Sequence, residues 1–397
     1  MFEHLEPLPG DPILSMMAAF RQDPADNKVD LSAGVYKDES GRTPVMAAVA
    51  EAEQKVLAEQ QTKAYVGLAG NPLFNDTMQP LIFGPEHPAN DRMRTFQTPG
   101  GSGGLRVAAE FLKRARGDAR LWLSDPSWPN HRPLIGDVGI DVQEYPYLDR
   151  ATGALRFDAM CETLSTSASA GDLLLLHGSC HNPTGADLTL AQWQQVTELC
   201  LEKGLLPFID TAYLGFGEGL DADAEGLRHV AANVPEAIIV GSCSKNFGLY
   251  KERVGSVTVL AANAAATEAS LSHLLRIVRR IYSMPPDHGA AIVGTILDDP
   301  RLRWQWEEEL GECRERMQRL RREFRDALAS ALPNENFDFL VAQRGMFSML
   351  PLAVDEIDAL RDKHHVYMVK SGRINVAGLP EQGLTQLAAA IADVRTR

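Results

Sequence analysis

Apolar positions in this chain fall into two rhythms. The first is a set of short, nearly unbroken runs: Arg120-Leu121-Trp122-Leu123-Ser124, Asp172-Leu173-Leu174-Leu175-Leu176-His177, Leu205-Leu206-Pro207-Phe208-Ile209-Asp210, Ile238-Ile239-Val240 and Val254–Leu260. A strand apolar at every position is covered on both faces, as in a mostly parallel sheet. The second rhythm is helical. It covers about 46–60, Leu105 to Ala115, Leu190 to Lys203, Leu271 to Tyr282 and the long charged stretch Leu302 to Leu332. Strands and helices alternate, which predicts an α/β fold with a sheet between helical layers.

The chain ends read differently. Gly10-Asp11-Pro12 opens a short helix over 10–22, with Asp11 as cap and Pro12 in its first turn. Val29 to Val35 reads as a short strand ending near Gly34. Tyr65 to Pro72 reads as a loop, with two glycines and an Asn-Pro pair. After residue 332 short strand-like pieces (Met346–Met349, Val366–Val369, Arg373–Val376) lead to a last helix from about Pro380. The expected division is a large α/β domain at 41–305 and a smaller α+β domain built from 1–40 and 306–397.

Composition narrows the function. At 397 residues, 45% hydrophobic and 23% charged, the chain can bury a large core. A net charge of −14 argues against nucleic acid or an anionic membrane as partner. No basic leader or membrane-length apolar run is seen at the start, and the five cysteines form no C-x-x-C pair. The expectation is a cytoplasmic protein with free thiols.

The candidate chemistry sits where strands end, the usual place for ligands in such sheets. After Ile238-Ile239-Val240 comes Ser242-Cys243-Ser244-Lys245-Asn246-Phe247-Gly248, with Arg253 beyond. A lysine held among small residues, away from water, loses its proton readily and becomes a usable amine. Asp210 closes another buried strand and needs a cationic partner, which a protonated pyridine nitrogen would supply. Gly100-Gly101-Ser102-Gly103-Gly104 opens a helix and offers free N–H groups to an anion. His177 and His181 have a metal-like spacing, but glycine and proline break the helix such a pair needs, so no metal is expected. Arg373 begins a short strand, where a buried arginine either grips a carboxylate bidentately or makes a structural salt bridge.

Together these stretches, with His181-Asn182-Pro183-Thr184-Gly185 and Pro126-Ser127-Trp128-Pro129, resemble the class I aminotransferases of pyridoxal-phosphate fold type I. The likeness is to their aspartate and aromatic amino-acid branch and covers nearly the whole chain. It implies pyridoxal 5′-phosphate (PLP) bound as a Schiff base to Lys245, which also serves as the base. It implies Asp210 on the pyridine nitrogen, Tyr213 and Asn182 on the ring hydroxyl oxygen, and Trp128 stacked on the ring. Gly101, Ser102 (threonine in many relatives), Ser242 and Arg253 would hold the phosphate. Tyr65 would reach the phosphate of a neighbouring subunit, which makes the protein a homodimer with shared sites. Arg373 would take the substrate α-carboxylate, and Arg279 from the neighbouring subunit the distal carboxylate. Gly34, Ile13, Leu14 and Phe347 would line a closing small domain, and cis bonds would precede Pro126 and Pro183. Met284 stands where aspartate-specific relatives usually carry asparagine. That favours a dual-specificity enzyme moving amino groups from aromatic amino acids and aspartate or glutamate to 2-oxoglutarate in ping-pong fashion. A dedicated aspartate aminotransferase, a decarboxylase or β-lyase on the same fold, and a non-catalytic PLP-binding regulatory protein remain as alternatives.

Overall fold

The computed structural model describes residues 2–8 and 10–395. Its strands are β1 (Val29–Asp30), β2 (Met93–Pro99), β3 (Arg120–Asp125), β4 (Asp141–Pro146), β5 (Leu173–His177), β6 (Leu206–Thr211), β7 (Ala237–Ser242), β8 (Val254–Leu260), β9 (Phe347–Met349), β10 (Val366–Tyr367) and β11 (Arg373–Asn375). β2 to β8 form one sheet in the order β2-β8-β7-β6-β5-β3-β4. Only β8 runs against its neighbours, so the sheet is mixed but mostly parallel.

Alternation along the buried strands explains why both faces are apolar. Leu173 and Leu175 join Phe208, Ile238 and Val240 in a core with the helices Gly100–Ala115 and Ala264–Ile281. Leu174 and Leu176 join Ile209 and Ile239 in the core on the opposite face, with residues of Pro72–Phe83, Leu190–Lys203, Leu220–Asn233 and His288–Asp298. Successive side chains of a strand point to opposite faces, so an all-apolar strand needs both layers.

The chain ends meet in space. β1 pairs in parallel with β10, and β9 with β11 in antiparallel. Helix Pro12–Gln22 has Asp11 as its cap, accepting from the Ile13 and Leu14 N–H groups. The strand expected from Val29 to Val35 stops at Asp30. Side chains occupy the backbone beyond it: Arg373 donates to Ser32 O, and Asn375 Nδ2 to Ala33 O and Val35 O. The long helix Pro300–Ala331 packs against the helices Ala47–Glu59, His288–Asp298 and Leu384–Arg395. Its Trp306 is fully buried, donates Nε1–H to Asn246 O at 2.7 Å and stacks on Phe247 at 4.2 Å. Both residues directly follow Lys245. Among the described residues no helix is long and apolar enough to cross a membrane.

Candidate active site

The carboxyl ends of β5, β6 and β7 and the start of helix Gly100–Ala115 enclose a cavity of about 220 Å³. Gly101, Ser102, Trp128, Asn182, Asp210, Tyr213, Ser242, Lys245 and Arg253 all line it. Nine of the residues singled out in the sequence thus share one wall.

At one end the glycine-rich turn is the first turn of the helix itself, which begins at Gly100 rather than after the glycines. Gly100 has φ +72°, and a β-carbon there would sit 2.5 Å from Arg253 Nη2. A β-carbon on Gly101 would come 3.1 Å from Ser242 Cβ. The bare backbone therefore lies directly against Arg253 and Ser242. Arg253 also donates to Ser244 Oγ at 3.3 Å. Free helix N–H groups, two hydroxyls and a guanidinium make a cradle for a phosphate.

At the other end Asp210 is held by His131, whose Nε2 lies 2.8 Å from Asp210 Oδ2. Burial opposes the Asp210 charge, but the hydrogen bond and charge of His131 outweigh it and keep the carboxyl below its usual range. Behind His131 stand Ser127 at 3.0 Å and His177 edge-on at 5.0 Å. His177 and His181 stack at 4.0 Å, and all four of their ring nitrogens have protein partners: Ser127 Oγ and Asn182 N for His177, Ser124 Oγ and Thr184 Oγ1 for His181. Burial holds His177 down to about 3, so these imidazoles are neutral polar packing behind the aspartate. Sequence reasoning missed His131. Its only signal was its place four residues after Ser127, in the stretch that carries Trp128.

Lys245 stands between the two ends, its Nζ 5.1 Å from the Tyr213 ring centroid. Burial, helped by the charges of Arg253 and Arg373, pulls the amine down to about 8 against the pull of Asp210. Asn182 Nδ2 points to Tyr213 OH at 3.4 Å, while Asn182 Oδ1 and the nearby Ser179 Oγ are buried with no partner. Unpaired buried polar atoms on a cavity wall call for a polar ligand. A phosphate cradle, an unpaired amide oxygen, a depressed lysine and a histidine-backed carboxylate together fit PLP. The peptide bonds Asp125–Pro126 and Asn182–Pro183 are cis.

The remaining candidates lie outside the lining. Arg373 is buried, its guanidinium 4.6 Å from the centre of the Phe347 ring, which is edge-on to Tyr213. Burial lowers its proton affinity, and Nε has no partner. Gly34 lies against the Phe347 ring. Ile13 and Leu14 are on the N-terminal helix, where Leu14 is 65% exposed. Tyr65 is 88% exposed. Arg279 is exposed as well and donates to Ser283 Oγ, while Met284 is half-buried beside it.

Comparison with known proteins decides the family. The profile of "Aminotransferase class I and II" matches residues 26–391. The chain belongs to the class I and II aminotransferases. The aspartate aminotransferase of Escherichia coli K12 is 47% identical over 99% of this chain and 100% of its own. The aromatic-amino-acid aminotransferase of Paracoccus denitrificans is 43% identical, over 99% and 100%. A crystal structure of the aromatic-amino-acid aminotransferase from Burkholderia pseudomallei, covalently bound to pyridoxal phosphate, superposes with a TM-score of 0.96 at 40% identity, covering 99% of each chain. The chain is thus a PLP-dependent transaminase of fold type I, acting on amino acids and 2-oxo acids. The lyase and non-catalytic regulatory readings fall away.

Proposed function

We propose that this aminotransferase has dual specificity, moving the amino group of aromatic amino acids and of aspartate or glutamate to 2-oxoglutarate by a ping-pong route. The observation that carries the specificity is how Arg279 is held. Its partner is the Ser283 hydroxyl, and Met284 offers it no hydrogen bond. An arginine tethered by one flexible contact can meet a carboxylate or swing aside for a ring, and methionine packs adaptably against either.

PLP, when bound, supplies an aldehyde carbon for the amino group and a ring that draws electrons from the substrate α-carbon. The protein does the rest. The helix start at Gly101 and Ser102, with Ser242 and Arg253, would hold the phosphate. Asp210, kept ionised by His131, would pair with a protonated ring nitrogen. Tyr213 and Asn182 would donate to the ring hydroxyl oxygen, and Trp128 would pack on the ring. Lys245 would anchor the cofactor in the resting enzyme. Its amine, lowered to about 8, then takes the substrate α-proton. Arg373 binds the α-carboxylate, with Gly34, Ile13, Leu14 and Phe347 closing over it.

The protein acts as a homodimer in which Tyr65 and Arg279 serve the neighbouring site. Their exposure in a single chain supports this reading. We also divide the chain into a large domain at 41–305 and a small one at 1–40 with 306–397, so that the two chain ends would move together as a lid. Five unpaired cysteines suit a reducing cytoplasm.

The test is a single-turnover absorbance scan with phenylalanine and with aspartate, on wild type and Arg279→Ala. Wild type should react with both amino acids and be restored by 2-oxoglutarate. The variant should lose about 10²-fold or more toward aspartate, the scale of removing one partner of a charge pair. Phenylalanine should lose far less. Reaction of wild type with aspartate alone would make the protein a dedicated aspartate aminotransferase.

A further inference from the structure

Gln97 lies on β2, at the edge of the sheet, and is fully buried. It is outside the cavity, yet it joins the two segments that carry Tyr65 and Arg279. Its backbone N–H donates to Ala69 O at 2.9 Å. Its Oε1 accepts from Asn71 N at 2.8 Å. Its Nε2 donates to Pro286 O at 2.7 Å. Asn71 Nδ2 adds a bond from the first segment to Asp287 Oδ1 in the second, at 2.8 Å. Gly70, at φ +82°, lets the amide lie across the loop, because a β-carbon there would land on the Gln97 side chain.

We propose that Gln97 is a positioning residue, whose single carboxamide sets the Tyr65 loop and the Arg279–Pro286 turn in one fixed relation, so that both reach the neighbouring site together. The catalytic part of this proposal rests on the reading of Tyr65 and Arg279 given above. Glutamine suits the position because the two loops present opposite needs. The 67–71 turn offers a buried N–H, and the turn at 286 offers a C=O. One primary amide answers both, whereas a carboxylate or an ammonium answers one. Ser283, at φ +68°, bends the chain between Arg279 and Pro286, so the Pro286 anchor fixes where that bend points.

The experiment uses the holoenzyme and Gln97→Met, which fills similar space with an adaptable side chain and neither bonds strongly nor bears charge. Hydrogen exchange is the first readout, and on wild type it needs no variant. Amides of 66–71 and 283–287 should open as one cooperative unit. In Gln97→Met both segments should exchange faster together while β5, β6 and β7 keep their protection. Independent opening of the two segments in wild type, or faster exchange in only one of them in the variant, would overturn the tie. Single-turnover kinetics is the second readout. KM for aspartate should rise on the order of 10²-fold, as for a misplaced binding group. The rate at saturation should hold, KM for phenylalanine should stay within the same order of magnitude, and PLP should be lost more readily on dialysis. Coupled loosening with an unchanged aspartate-to-phenylalanine ratio would keep the tie but overturn the role of Gln97 at the site, whereas loss of the reading of Arg279 would show as equal losses toward both amino acids in Arg279→Ala.

Discussion

Asp210→Asn isolates a charge without changing a shape. Asparagine keeps the size of the side chain and an oxygen for His131 Nε2, 2.8 Å away in the wild type. What disappears is the buried negative charge proposed to face the ring nitrogen. Leaving one member of a buried ion pair unpartnered costs about 3–5 kcal/mol. At about 1.4 kcal/mol per decade, the turnover step should slow by roughly 10²–10⁴-fold. The loss should fall on the chemical step rather than on cofactor content, because Arg253, Ser242 and the helix start lie at the other end of the cavity. The assay is single-turnover loss of the cofactor's visible band with aspartate, on protein whose bound phosphate has been measured. A second readout comes from the amine. The Asp210 charge raises Lys245, so without it the Lys245 midpoint should drop below about 8. A variant that turns over within tenfold of wild type, with Lys245 unmoved, would refute the role given to this carboxylate.

Three further predictions concern the unloaded protein. In competitive amine labelling read by mass spectrometry, Lys245 should become reactive with a midpoint near about 8, while exposed lysines titrate about two decades higher. A midpoint in the ordinary lysine range would mean that the site does not desolvate the amine. The same shift links to stability. Between about 8 and the ordinary 10.5 the unfolded chain binds more protons at this residue than the native one, so its contribution improves as pH rises through that window and is lost as pH falls to about 8. Gly100→Ala should weaken PLP binding roughly tenfold, since a side chain in the left-handed region costs about 1–2 kcal/mol and would press on Arg253. Fluorescence titration of the apoprotein checks this, and an unchanged Kd would remove the cradle argument.

The strands that hold the site were legible because each is short, apolar and ended by a polar residue: His177, Asp210, Ser242. β4 was not, because half of Asp141–Pro146 is charged or amide (Asp141, Gln143, Glu144), which its place at the edge of the sheet allows. Helix Pro72–Phe83 hid behind Asn71-Pro72, a turn signal that here is a cap and a first helical residue. The β1 strand was overread, since the sequence alone cannot say that Arg373 and Asn375 take the carbonyls of 32–35. His131 escaped for a similar reason. It meets Asp210 across 79 residues, and nothing local marks a histidine at the start of a short helix as the partner of a strand-end carboxylate. Nothing in the sequence around Trp306 marks its role, yet its bond to Asn246 O fixes the backbone just after Lys245.

The bond from Arg373 to Ser32 O spans 341 residues, nearly the whole chain. The lining of the PLP cavity, by contrast, lies entirely between Gly101 and Arg253. During synthesis from the N-terminus, every residue that lines the cavity has therefore emerged long before the site proposed for the substrate's carboxylate can exist. Contacts so distant in sequence form late, after the entropy of closing the loop has been overcome. A growing chain acquires the means to hold its cofactor first and the means to admit a substrate last, so a half-made enzyme has no completed place to bind an amino acid.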